Sequence, residues 1–125
     1  LLARFGGGDD GLTIAIAHLS LGANSRKAQL AYIAELLSQY PNAVLMGDFN
    51  CTWDVPEMDV LFRHTRLRPP TAPVLTFPSW GPERAIDHIL VSEGMDYRNV
   101  RSVRAARSDH LALALDLQVP QKALR

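Results

Sequence analysis

AVLMGDFN, residues 43–50, is the stretch that decides how the rest of the chain folds. Ala43, Val44, Leu45 and Met46 form a short apolar run that predicts a buried strand, and Gly47 lets the backbone turn so that Asp48 and Asn50 emerge side by side. An aspartate and an asparagine one residue apart at a strand end point to the same side, so a carboxylate and an amide converge on one small ligand. The same residue types also favour a solvated turn, and the stretch by itself leaves both readings open.

Upstream, Leu12 to Leu19 alternates, with Leu12, Ile14, Ile16 and His18 on one face and Thr13, Ala15, Ala17 and Leu19 on the other. The pattern predicts a covered strand with His18 at its end, where a histidine is either a satisfied core residue or a functional one. Between the two strands, Asn24 or Ser25 is expected to cap a helix running to about Tyr40, whose apolar stripe is Leu30, Ile33, Ala34 and Leu37. Strand, helix, strand makes a βαβ-like unit in which the helix covers one sheet face. If those strands are parallel neighbours, His18 and the Asp48/Asn50 pair lie at adjacent ends.

Downstream, Asp54 to Glu57 (DVPE) has the form of a capping box and predicts a short helix to about His64. His64 at its end reads as a helix-terminus charge partner. Between Arg68 and Pro82 stand five of the eight prolines, which excludes regular helix and predicts a long, stiff loop. Phe77 is expected to pack that loop down, and Trp80 offers an apolar platform beside a substrate. Ala85 to Ser92 reads as an apolar strand with Asp87 and His88 on opposite faces, and an aspartate there requires a partner. A more polar strand is expected from Tyr97 to Ala105. The last runs from His110 to Val119, with Leu111, Leu113, Leu115, Leu117 and Val119 on one face, just after Ser108 and Asp109.

The bulk properties narrow the partners. A chain of 125 residues, 47% hydrophobic, suits one domain with one core. Thirteen basic and thirteen acidic side chains cancel, so no overall field draws the protein to nucleic acid or anionic lipid, although several of its arginines cluster from Arg98 to Arg107. The lone Cys51 excludes an internal disulfide and fits a reducing compartment, so a cytoplasmic location is favoured. No run approaches a membrane span and no signal peptide is visible.

Collected, the polar residues at strand ends or inside apolar strands are His18, Asp48, Asn50, Asp87, Asp109 and His110. Carboxylates, an amide and two imidazoles suit hydrolysis of a phosphate ester with a hard divalent cation. A Ser/His/Asp esterase fits poorly: no G-x-S-x-G elbow exists, and Ser108 adjoins Asp109 and His110 too closely to form a triad with them.

In HLSL from His18, GDFN from Gly47 to Asn50, TFPSW followed by AIDHILVS, and SDH from Ser108 to His110, the chain resembles the endonuclease/exonuclease/phosphatase superfamily, which has a DNase I-like fold. The resemblance spans about Leu12 to Val119. It implies an α+β fold, half of a four-layer α/β/β/α sandwich, with a mixed, mainly antiparallel sheet and two helices on one face. Residues 1–125 would then be the C-terminal portion of a single domain. The N-terminal half, which in the family carries a metal-binding glutamate and one of two stacked sheets, would then be missing, and the inner face left open, such as the leucine row Leu111 to Leu117, is expected to pair with that half or to drive self-association as a dimer, aggregation or failure to fold stably alone.

The resemblance also implies roles. Asp48 orients or deprotonates the attacking water and is a metal ligand, and Asn50 holds a phosphate oxygen. His110 contacts the scissile phosphate with its ring fixed by Asp87, Asp109 is a metal ligand or metal-proximal carboxylate, and His18 is a second proton donor. The implied activity is Mg²⁺- or Mn²⁺-dependent hydrolysis of a phosphodiester or phosphomonoester by in-line water attack. The implied substrate is a nucleic acid, a phospholipid headgroup or a small phosphodiester, with Trp80 and Asn50 in contact with it. The competing expectation is a non-catalytic fragment or a self-associating interaction module.

Overall fold

The computed structural model describes residues 1–104 and 107–124. Its centre is the expected βαβ unit. Strand β2 (Leu12–His18) runs parallel to β3 (Ala43–Asp48), and helix α1 (Ala23–Leu37) crosses between them. Their register pairs His18 with Asp48, so the two strands end together. Strand β1 (Leu2–Phe5) adds antiparallel to β2, and on the other side β5 (Asp87–Ser92) lies antiparallel to β3 with the two-residue β4 (Leu67–Arg68) beyond it. The result is a five-stranded sheet of order β1-β2-β3-β5-β4.

Each face of this sheet has its own core. On one, Ala15, Leu45 and Leu90 pack against Leu30, Ala34 and Leu37 of α1 and Leu61 of α2 (Asp59–His64). On the other, Leu12, Val44, Ile89 and Val91 pack beneath a separate antiparallel pair, β6 (Tyr97–Val103) and β7 (Ala112–Leu117). Strands with both faces covered need near-continuous apolar runs, which is what β3 and β5 carry.

Several expectations shift at element ends. Helix α1 begins at Ala23, with Gly22 rather than Asn24 or Ser25 at the cap position, and ends at Leu37. Asp54 does not cap the next helix; it accepts the Thr52 hydroxyl at 2.5 Å, and the chain enters α2 through a 3-10 turn at Pro56–Met58. Glu57 is diverted from the capping box because Arg26, 8% exposed, needs a carboxylate: its Nη2 donates to Glu57 Oε2 at 2.8 Å. The last strand starts at Ala112, leaving His110 in the bend before it, and the expected end of β6 at Ala105 lies outside the described residues.

The leucine row is the larger correction. Leu113, Leu115, Leu117 and Val119 are partly buried, because β6 and β7 fold back over the second sheet face and turn that row inward. The apolar surface left open lies instead at the far edge of that face. Paired residues of an antiparallel ladder point the same way, so Phe5, Ile14, Ile16 and Leu1 share this side, and Phe5 is 50%, Ile16 48% and Leu1 89% exposed. Among the described residues no helix is long and apolar enough to cross a membrane.

Candidate active site

The polar ends of β2, β3 and β5 meet at one end of the sheet. Asp48 closes β3 opposite His18 of β2 and Asp87 of β5, and all three side chains share the face under β6 and β7. What brings the strands so close at this end is Gly47. It has φ +146°, and a Cβ built there would stand 1.7 Å from the Ala17 carbonyl oxygen.

The turn after β3 is then pinned from several sides. Phe49 N–H donates to the Ile86 carbonyl and Leu19 N–H to the Asp48 carbonyl, each at 2.9 Å. Asn50 takes the left-handed conformation, φ +51°, one of the few non-glycine residues that does so readily. Its backbone N–H donates to Asp48 Oδ1 at 2.9 Å, and its side-chain amide donates to the Leu19 carbonyl at 2.6 Å. That bond uses one amide N–H and leaves a second on the same nitrogen.

Asp87 finds the partner that its sequence position demanded. His110 Nδ1 lies 2.7 Å from Asp87 Oδ2; the carboxylate only accepts, so the imidazole donates. Thr76 donates its hydroxyl to the same oxygen at 2.6 Å. The far ring nitrogen of His110 then faces Asp48, with Nε2 3.7 Å from Oδ2, and Nε2 of His18 stands 3.5 Å from that same oxygen. One carboxylate oxygen is thus flanked by two imidazoles. Burial opposes protonation of His110, but the Asp87 hydrogen bond and the charges of Asp87, Asp48 and Asp109 outweigh it and raise its pKa.

The proline-rich connection holds the SDH segment in place. Ser79 N–H donates to the Asp109 carbonyl at 2.7 Å and its hydroxyl to the Ser108 carbonyl at 2.8 Å, while Leu111 N–H donates to the Thr76 carbonyl at 2.7 Å. Phe77 packs its ring 4.8 Å from that of His110. Trp80 follows this clamp in sequence and is 78% exposed. Asp109 is exposed, outside the group formed by Asp48, Asp87 and His110, whose donor atoms all lie within 4.8 Å of one another and could hold a metal ion.

Two residues with a part in this geometry were not among the candidate site residues. Thr76 opens the TFPSW stretch, but the sequence does not say what it touches; the ladder contact between Phe77 and Arg84 brings it behind Asp87. His88 points to the helix face, buried, with Nε2 2.7 Å from the Cys51 carbonyl and its ring against Phe49. It braces the turn that carries Asn50.

The model of the Endonuclease/Exonuclease/phosphatase family matches residues 8–110, from the loop before β2 to the SDH histidine. The chain belongs to that family. No curated protein matches it. Among solved structures, a conserved protein of unknown function from Enterococcus faecalis is similar over 90% of this chain and 52% of its own, at 22% identity and a TM-score of 0.73. A mannosyl-6-phosphatase from Bacteroides thetaiotaomicron matches 86% of this chain and 51% of its own, at 21% identity and a TM-score of 0.70. A 3′ phosphatase from Neisseria, bound to a product DNA hairpin, matches 94% and 64%, at 17% identity and a TM-score of 0.61. The fold of this family member is therefore DNase I-like, and the chain spans about half the length of the first two.

Proposed function

We propose that this family member supplies the water-activating and phosphate-orienting side of a metal-dependent phosphoester hydrolase, as the C-terminal portion of a single catalytic domain. The observation that carries this reading is Asp48 Oδ2, flanked by His18 and by a His110 that Asp87 orients. Asp48 accepts a proton from the attacking water as the water oxygen bonds to phosphorus. His110, its Nδ1 committed to Asp87, presents Nε2 to a phosphoryl oxygen, and the second amide N–H of Asn50 donates to another. His18, open to solvent, gives a proton to the departing ester oxygen, so that water and ester become phosphate and alcohol.

Mg²⁺ and Mn²⁺ take oxygen donors, so Asp48 would be the first ligand, with Asp109 a carboxylate close enough to add its charge, while Asp87 and His110, whose donor atoms lie within 4.8 Å of Asp48, hold each other beside the ion. When bound, such an ion neutralises phosphoryl charge and polarises the P–O bonds. Trp80 stacks on the group attached to phosphorus, be it a base, a sugar or a headgroup. The family kinship with a sugar phosphatase and a DNA-bound 3′ phosphatase supports a phosphoester and leaves its organic part open. The open strip of Phe5, Ile16 and Leu1 is where the rest of the domain, or a second copy of the chain, covers the sheet.

The test is hydrolysis of bis(p-nitrophenyl) phosphate and p-nitrophenyl phosphate with Mg²⁺ or Mn²⁺, comparing wild type with His110→Ala and Asp48→Asn. Each variant is expected to lose about a hundredfold or more in kcat, the scale of a general acid–base contribution. Equal rates in all three proteins would refute the catalytic assignment and leave the non-catalytic module as the better reading.

A further inference from the structure

Thr76 is 0% exposed, in a connection otherwise lined by prolines, and its polar atoms serve the residues around Asp87 and His110. Its hydroxyl donates to Asp87 Oδ2 at 2.6 Å, its N–H to the Arg84 carbonyl at 3.0 Å, and its carbonyl accepts from Leu111, the residue after His110, at 2.7 Å. The first bond reaches the carboxylate that holds the imidazole; the last reaches the backbone that delivers it.

From this we infer that Thr76 is a positioning residue for His110, acting through its hydroxyl on Asp87. The terminal torsion of an aspartate is broad, so the bond from His110 alone leaves the carboxylate plane free to swing. A second donor on the same oxygen selects Oδ2 and fixes the plane, and the donor is itself stiff at χ1 because threonine is β-branched. With Thr76 fully buried, solvent does not compete for the hydroxyl. The ring of His110 is then held in one orientation, Nδ1 on Asp87 and Nε2 toward Asp48, with Phe77 closing one side.

The opposing explanation is that Thr76 only fills space, and the two predict opposite mutants. Thr76→Val keeps the shape and removes the hydroxyl; Thr76→Ser keeps the hydroxyl and removes the methyl. In the 15N-labelled protein, the Nδ1-bound proton of His110, assigned by its loss in His110→Ala, is expected to be slowed in exchange with water. It is expected to exchange about tenfold faster in Thr76→Val and at the wild-type rate in Thr76→Ser. Unchanged exchange in a folded Thr76→Val, or fast exchange in Thr76→Ser, would overturn the inference. Wild type alone also decides it, should Thr76→Val not fold. Both donated protons sit on one carboxylate oxygen, so a protected Thr76 hydroxyl proton must show a nuclear Overhauser contact to the His110 Nδ1 proton, and absence of that contact overturns the inference as well.

The kinetic consequence rests on the phosphoesterase reading. With the chromogenic diester, Thr76→Val is expected to lower kcat about tenfold or more at unchanged KM, with Thr76→Ser restoring it. If wild type hydrolyses nothing, that reading fails, while the proton measurements still decide what Thr76 does.

Discussion

His88 and His110 show how far one residue type can be pulled in two directions around a single carboxylate. His88 follows Asp87 in β5 and turns to the helix face, where burial, only partly offset by the Cys51 carbonyl and the charges of Asp87 and Asp48, lowers its pKa. His110 reaches Asp87 from the other side, and there the carboxylates overcome burial and raise it. The linkage signs are opposite. His110 binds its proton more tightly folded than unfolded, so its contribution to stability is complete below the ordinary imidazole value of about 6.5 and is lost as the pH rises through its raised folded value. The neutral ring of His88 contributes fully above the ordinary imidazole value, and its contribution is lost as the pH falls through its own lowered folded value. In an NMR titration the His88 ring signals are expected to move at lower pH than those of a free imidazole and the His110 signals at higher pH; the reverse order would contradict both assignments. In His88→Phe the loss of denaturant resistance on acidification should flatten. Of these two residues the sequence announced one. His110 stood in an SDH motif before an alternating strand, whereas His88 sat mid-strand, and its contact with the Cys51 carbonyl depends on how the turn after β3 folds back.

At the level of elements, the readable features were those set by local periodicity. Alternation in β2, the stripe of α1 and the apolar run of β3 each depend on a residue's neighbours in sequence, and each appears where the pattern places it. Ends were misjudged where a long-range partner outbid a local one, as when Glu57 turned from a capping box to Arg26, 31 residues away. The joint of β2 and β3 is the element-scale feature on which the site depends, and it hangs on Gly47. Gly47→Ala puts a methyl group into the Ala17 carbonyl and asks an L-residue to hold φ +146°. Clash and strain together are expected to cost about 3 kcal/mol or more, read as a lower urea midpoint at unchanged slope. Because the strands must separate to relieve the clash, the His18–Asp48 register should loosen as well. A midpoint within error of wild type would mean that the strands do not approach as closely as this contact requires.

On the scale of the whole molecule, the sandwich is uneven: among the described residues a five-stranded sheet is roofed by a two-stranded pair. The roof satisfies Leu113, Leu115 and Leu117, the row whose alternation the sequence made obvious, and it leaves uncovered the β1–β2 edge, where Phe5, Ile16 and Leu1 stand on one side of the ladder. Sequence periodicity identifies an apolar face and does not say which part of the opposite layer will cover it, which is why the expected sticky surface fell on the wrong strand. With formal charge balanced at zero, no net repulsion keeps copies of the chain apart. The chain studied alone is therefore expected to self-associate through this edge, with a light-scattering mass that rises with concentration in the micromolar range. Ile16→Lys and Phe5→Lys, both at solvent-facing positions of the ladder, should return it to a concentration-independent monomer while His110 and Asp87 remain paired. A monomeric mass for wild type at every concentration would show that the strip is tolerated in water. A dimer indifferent to both lysines would place the contact elsewhere, with the unpaired strand edges of β6 and β7 the next surface to probe.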